Sequence, residues 1–288
     1  MFVSVPVGNV RVTGVELDSF GLFKPPLGLT TGTLDASGPT TINVTIGNAS
    51  GPSWSVPPTN LDGGDGFRYD IACDGQEFVG GTSNGSLRAY FGAFNLFLNS
   101  NSYPCPLSIF AGPAGTRGVD FGPFGFGGIE VTRKVFSPSA GGFVRYLEVL
   151  SNPTHANLPV SVKIESGLIA TNIAVAPSDT NSTYAVVDSG GQVCCPPALG
   201  FVFGGIGAGL AASATRFVNQ DQNIWYRWDV TVPAGKTVIL MHFGIQRDVT
   251  DTNGVQTQAQ ALVNLTDPDA LDGMSATEKS EVVNFGIP

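Results

Sequence analysis

The sequence predicts an all-β protein: a large β-sandwich or supersandwich of antiparallel strands, with short helices only near its C-terminal end. Three observations carry this. First, residues 142–165 and 225–245 each join two runs of β-branched and aromatic residues through a Pro/Gly/Asn turn, the pattern of a long hairpin. Second, period-two alternation recurs elsewhere. It puts Ile42, Val44 and Ile46 on one face, and it sets Ile129, Val131, Arg133 and Val135 against Glu130, Thr132, Lys134 and Phe136, the first set being the buried one. Third, the 288 residues are 42% hydrophobic and only 13% charged, with 38 Gly and 20 Pro, so turns and Ser/Thr/Asn supply polarity that charge does not.

Each element follows in order. Residues 3–15 and 40–46 read as short strands around a loop at 24–28. Residues 62–71, a turn at Asp74-Gly75 and the apolar run 90–98 continue the sheet. The Gly, Pro and Phe-rich stretch 112–128 reads as a long surface loop before the strand at 129–136. Residues 198–212 are uncharged but carry five glycines, which fits a buried strand and a glycine-rich turn better than a membrane span. Helix appears only at the end: Ala259, Leu262 and Val263 form a stripe within 256–265, and Ser275 with Glu278 forms a capping box opening a helix that ends near Asn284. The expected organisation is one β-rich domain over 1–288, or two packed halves meeting near 100–128.

A formal net charge of −9 with scattered basic residues excludes phosphate-directed nucleic-acid binding and attraction to an anionic membrane surface. Residues 1–6 lack the basic and apolar regions of a signal peptide, so an exported protein would be represented here by a processed or excised piece. Cys73, Cys105, Cys194 and Cys195 lack zinc-site spacing and a nearby histidine, which points to disulfides and an extracellular or cell-surface setting. Adjacent Cys194 and Cys195 strain a mutual bridge, and Cys73 with Cys105 is the nearest pair by sequence.

The residues 143–154, 232–243 and the terminal Val283-Asn284-Phe285 resemble the β-rich modules of large secreted or surface proteins of bacteria. That resemblance implies an extracellular, non-catalytic setting. In strand pattern and length the chain is also similar to the galactose mutarotase-like supersandwich, which precedes the catalytic domains of several glycoside hydrolases and phosphorylases. A mutarotase-like reading wants two histidines and a carboxylate around a sugar ring. The chain has only His155, in a turn, and His242, in a strand beside Val238 and Leu240, where a packed histidine with one satisfied nitrogen is expected. Glu130, Glu148 and Glu165 are strand carboxylates, but no spacing selects a pair for glycoside hydrolysis, and outward-facing positions explain all three.

Calcium is the small ligand the loops could hold, with Asp62 and Asp65 in one cluster and Asp248, Asp251 and Asn253 in another, although Asx turns explain both. Asn43, Asn48, Asn84, Asn181 and Asn264 match the N-glycosylation acceptor pattern, which has meaning only where the machinery exists. Of the aromatic residues, Trp228 shares a face with Tyr226 and Val230 and belongs to the core. Trp225, on the face of Arg227 and Asp229, and Trp54 are the candidates for stacking on a sugar. The leading expectation is an extracellular structural or adhesive module without catalysis, associating with itself or with neighbouring modules as a filament or surface-layer subunit. A terminal strand bearing Val3, Val5 and Val7 could complete a neighbour's sheet. The alternative is a carbohydrate-binding or carbohydrate-active supersandwich using Trp54, Trp225, His242 and Glu148. A convergent, solvent-open site around His242 and Glu148 is not expected.

Overall fold

The computed structural model describes residues 8–14, 28–34, 60–106, 109–111, 117–178, 182–190 and 196–287. The chain divides into two compact units, Met1–Val56 and Pro57–Pro288. In the first, β1 (Gly8–Gly14) pairs antiparallel with β2 (Gly28–Leu34). Val3, Val5, Val7, Ile42, Val44 and Ile46 lie outside the described residues, as do Trp54, Asn43, Asn48, Asn181, Cys194 and Cys195.

The second unit is the antiparallel sandwich that the alternation predicts. Its strands are β3 (Asn60–Asp62), β4 (Phe67–Asp70), β5 (Gly81–Thr82), β6 (Asn95–Leu98), β7 (Asn101–Ser102), β8 (Ile109–Ala111), β9 (Gly118–Phe126) and β10 (Ile129–Phe136). They continue with β11 (Phe143–Ser151), β12 (Leu158–Gly167), β13 (Asn172–Val175), β14 (Tyr184–Asp188), β15 (Ala198–Val202), β16 (Ala214–Arg216), β17 (Asn223–Val232) and β18 (Thr237–Arg247). Eight strands form one sheet in the order β13-β14-β15-β18-β11-β10-β9-β8; five form the other in the order β16-β17-β12-β6-β7; and β3-β4-β5 make a small third sheet.

Neither long apolar pair is a hairpin. β11 pairs with β10 and β18 in the large sheet, while β12 pairs with β17 and β6 in the small one. The turns at 152–157 and 233–236 therefore cross from layer to layer as two arches lying side by side. The burial patterns give the physical reason. β12 and β17 alternate, with Val160, Val162, Ile164, Tyr226, Trp228 and Val230 inward and polar residues outward, as in a sheet wet on one side. β11 and β18 are buried almost throughout, because the second face of their sheet is also covered. A strand buried on both faces and one buried on a single face belong in different layers.

The cover is helical. α1 (Thr252–Val263), capped by Asp251, places Val255, Ala259, Leu262 and Val263 against Ile239, Met241, Phe243 and Ile245 of β18. α2 (Ala276–Glu281) opens on the predicted capping box of Ser275 and Glu278 and stops before Asn284. Buried Asn284 then fixes the terminal segment, its Oδ1 accepting from the Met241 N–H at 2.9 Å and its Nδ2 donating to the Met241 carbonyl at 2.7 Å. The stretch expected as a loop at 112–128 contains β9 over most of its length, because paired with β10 its Val119 and Phe121 enter the core.

The two arches are tied to each other through Asn152. Its Nδ2 donates to the carbonyls of Ala156 at 2.7 Å and Val232 at 2.9 Å, and its Oδ1 accepts from the Thr154 N–H at 3.0 Å and hydroxyl at 2.7 Å. Its backbone N–H donates to the Lys236 carbonyl at 2.9 Å, and the Gly235 N–H reaches the Thr154 carbonyl at 3.1 Å. Replacing this buried amide strands several polar groups at the crossing, each worth roughly 1–3 kcal/mol. Asn152→Ala is therefore expected to lower unfolding free energy by about 2–4 kcal/mol, whereas His155→Ala, at an exposed position of the same turn, stays within about 0.5 kcal/mol. Equal effects in denaturant titration would contradict this role.

Candidate functional site

His242 and Glu148 do come together, but inside the sandwich. The His242 Nε2 lies 3.0 Å from Glu148 Oε1 and its Nδ1 lies 3.0 Å from the Tyr226 hydroxyl. The same carboxylate oxygen sits 3.0 Å from Arg133 Nη2, which also donates to the Phe94 carbonyl. The imidazole stacks on Tyr146 with ring centroids 4.8 Å apart, and the Arg133 guanidinium lies 4.6 Å from the centre of the same Tyr146 ring. Arg133, Glu148 and His242 are each 0% exposed.

The geometry defines one tautomer. Neutral His242 donates from Nε2 to the carboxylate and accepts at Nδ1 from the Tyr226 hydroxyl, so both nitrogens are satisfied rather than the one expected. Burial pushes its pKa below 6.5, although the Glu148 carboxylate pulls it back upward. With both nitrogens committed and no exposure, this histidine cannot reach the anomeric centre of a sugar. The outward placement expected for Glu148 is corrected here. Its register on β11 points it to the inter-sheet core, where Arg133 and His242 compensate the buried charge, whereas Glu130 is exposed and Glu165 half-buried.

Other expected positions lie apart from this cluster. Asp62 Oδ1 accepts from the Gly64 N–H at 2.9 Å and Asp65 Oδ1 from the Phe67 N–H at 3.1 Å, the geometry of Asx turns. Asp251 accepts from the Gly254 N–H at 3.0 Å as the N-cap of α1, Asn253 stands in the first turn of that helix, and the Asp248 carbonyl accepts from the Asp251 N–H. Among the described residues no three His, Cys, Asp or Glu side chains are grouped to hold a metal ion. Asn84 is exposed in a turn, and exposed Asn264 caps the end of α1. Cys73 and Cys105 form a disulfide with their Cα atoms 5.0 Å apart. No helix among the described residues is long and apolar enough to cross a membrane.

The outer face of the five-stranded sheet gathers a different set. Trp225 is half-buried there, opposite Glu165, which is in turn opposite Asn95; Arg216 of β16 flanks Trp225 on the other side. The next row holds Arg227, Lys163 and Phe97, and the row after it holds Asp229 and Ser161. Lys163 Nζ is 2.6 Å from Glu165 and 4.2 Å from the centre of the Phe97 ring, and Arg227 is 3.2 Å from Asp229. Hydrogen bonds from Ser213 and Ser161, with the Arg227 charge, hold the Asp229 carboxyl below its usual range. This is a flat platform with an indole amid hydrogen-bonding side chains, and Trp228, 0% exposed, is in the core as alternation required. Phe97, Lys163 and Asn95 were missed in sequence as parts of it. The signal present was the alternation within Asn95-Leu96-Phe97-Leu98, whose outward pair meets β12 only through nonlocal pairing.

No protein-family model matches the sequence, and no curated protein matches it. Solved structures are similar over part of the chain. A protein described as a kojibiose phosphorylase from the human microbiome is 6% identical over 57% of this chain and 22% of its own, with a TM-score of 0.38. Heparinase III is 13% identical over 55% and 24%, with a TM-score of 0.38. The heparan sulfate lyase HepC of Pedobacter heparinus is 8% identical over 54% and 24%, with a TM-score of 0.37. The chain thus spans about a quarter of the length of these neighbours, and no assignment rests on the likeness.

Glu148→Ala leaves Arg133 as an uncompensated charge in the core and should cost about 3–5 kcal/mol of unfolding free energy; a change below about 1 kcal/mol would show that the cluster is not closed to water. Glu77 is a second buried carboxyl, accepting from the Asp70 N–H at 2.7 Å. Burial, its largest influence, raises its pKa well above 4.5, against the pull of that N–H. The unfolded carboxyl ionises above 4.5 while the folded one keeps its proton, so this contribution is full below 4.5 and is lost as pH rises through the folded pKa. His242 works oppositely: its contribution is present above 6.5 and is lost as pH falls. Comparing Glu77→Gln with the parent isolates Glu77. The variant should gain relative stability steadily as pH rises from 4.5, and parallel stability curves would refute the assignment.

Proposed function

We propose that this chain is a non-catalytic carbohydrate-binding β-sandwich of an extracellular or cell-surface protein, with the glycan lying on the outer face of the β16-β17-β12-β6-β7 sheet. The observation that carries the reading is the division of polar residues between the two sides of that sheet. The His242–Glu148–Arg133 cluster is sealed in the core, while Trp225 stands on the solvent side among Glu165, Asn95, Arg227 and Asp229. Sugar rings present apolar C–H faces and polar rims, so an aromatic ring beneath and hydrogen-bonding groups around it are the surface chemistry that holds them. A rigid sheet supplies that surface without ordering a loop on binding. The Cys73–Cys105 bridge supports the oxidising setting.

The exposed face of the five-stranded sheet favours the second of the two functions expected from sequence over the self-assembling structural one. Of the terminal strand expected to donate, residues 8–14 pair as β1 with β2 of the same chain, and Val3, Val5 and Val7 lie outside the described residues. The test is retention of the purified chain in gels containing polysaccharides. At least one polysaccharide should retard the parent, and Trp225→Ala should weaken that retention about tenfold or more, as for a central aromatic anchor. His155→Ala should leave it unchanged. Equal retention of Trp225→Ala and parent, or migration unaffected by every polysaccharide, would overturn the proposal.

A further inference from the structure

Phe91, at 68% exposure among the most exposed large apolar side chains, continues the same face. Its N–H donates to the Gly167 carbonyl at 2.9 Å, and the Gly167 N–H donates to the Gly92 carbonyl at 2.7 Å, so the bend at 91–92 lies against β12 beyond the end of β6, in a register shifted from that strand. Alternation from Ser161 through Lys163 and Glu165 brings Gly167 to the outer side, directly opposite Asn223 of β17. A side-chain Cβ at position 167 would meet the Phe91 Cβ at 3.5 Å and backbone carbonyls of 91 and 92 at 3.4 and 3.3 Å. Glycine therefore keeps the floor beside Phe91 bare. Trp225 sits one row away and across the strand from that floor. With strands spaced roughly 4.8 Å apart and a row of two residues adding roughly 6.8 Å along the strand, the backbone positions of the two aromatics stand about 12 Å from each other diagonally across the sheet.

The charges on the platform are matched internally. Lys163 is held by Glu165 and the Phe97 ring, Arg227 by Asp229, and Arg216 by Asp221. Each of the three cations on these strands thus has its carboxylate, and in a chain of net charge −9 a sulfated or uronic-acid polymer would meet repulsion without a free cation to offset it. Recognition is left to stacking and neutral hydrogen bonds.

Resting on the carbohydrate-binding reading, we infer that the ligand is an uncharged polysaccharide that crosses the strands and stacks at two places, on Trp225 and on Phe91, over the bare Gly167. The test compares the intact chain with Phe91→Ala, a substitution at an exposed position whose retained fold is checked by its far-ultraviolet spectrum. Gels carrying neutral xylan, mannan or glucan are run beside gels carrying heparin or polygalacturonate, at low salt and at about 1 M NaCl, where exposed charges are screened. A neutral polymer should retard the parent equally at both salts, and Phe91→Ala should weaken that retention about tenfold. Retention by the acidic polymers alone, released by salt, would overturn this inference and leave the carbohydrate reading standing. Neutral retention unchanged in Phe91→Ala would overturn the second stacking position. No retention on any polymer would remove the underlying reading as well.

Discussion

Each inward side chain of the sandwich takes its place from the crossing of two arches, because the turns at 152–157 and 233–236 send one arm of each arch into each sheet. Once β11 and β18 are partners in one layer and β12 and β17 in the other, the faces of all four strands are set by period-two geometry. A slip of one residue in the β12–β17 pair would expose Trp228 and bury Trp225. Asn152 guards against that slip, since a single amide bonds both turns together.

The same constraint explains why the residues that look most chemical are structural. Arg133, Glu148 and His242 come from three neighbouring strands of the large sheet and point toward Tyr226 of the other, where the arches bring the layers face to face. A buried ion pair gains little over an apolar substitute but is costly to break. The contacts of Glu148 Oε1 with Arg133 and His242 add orientation to a core otherwise built from aromatic and β-branched side chains. The polar groups able to meet a ligand are those left outside by alternation, and they collect on the wet face of the small sheet.

Much of this was legible in the sequence, for local reasons. The assignment of Trp228 to the core and Trp225 to the surface, the capping box at Ser275, and the buried set of β10 depend on short periods or on fixed spacings, which the chain carries within a few residues. Strand pairing does not. The arches look like hairpins because a turn between two apolar runs is the same signal whether its arms lie in one sheet or two. What separated them was continuous burial in 143–148 and 238–246 against alternation in 159–166 and 224–232. Glu148 was misplaced because a strand buried on both faces gives no polar side to which a carboxylate can be assigned. Phe91 and Gly167 join the platform only through backbone bonds between distant segments.

The pairing of the arches is the claim on which the core, the sealed histidine and the glycan platform all rest. Backbone nuclear Overhauser contacts in isotopically labelled protein measure it directly. The account predicts inter-strand contacts joining 158–167 to 223–232 and 143–151 to 237–247, following the register of Val162 with Trp228 and Leu147 with Met241. Contacts joining 143–151 to 158–167, as two local hairpins would give, would contradict it.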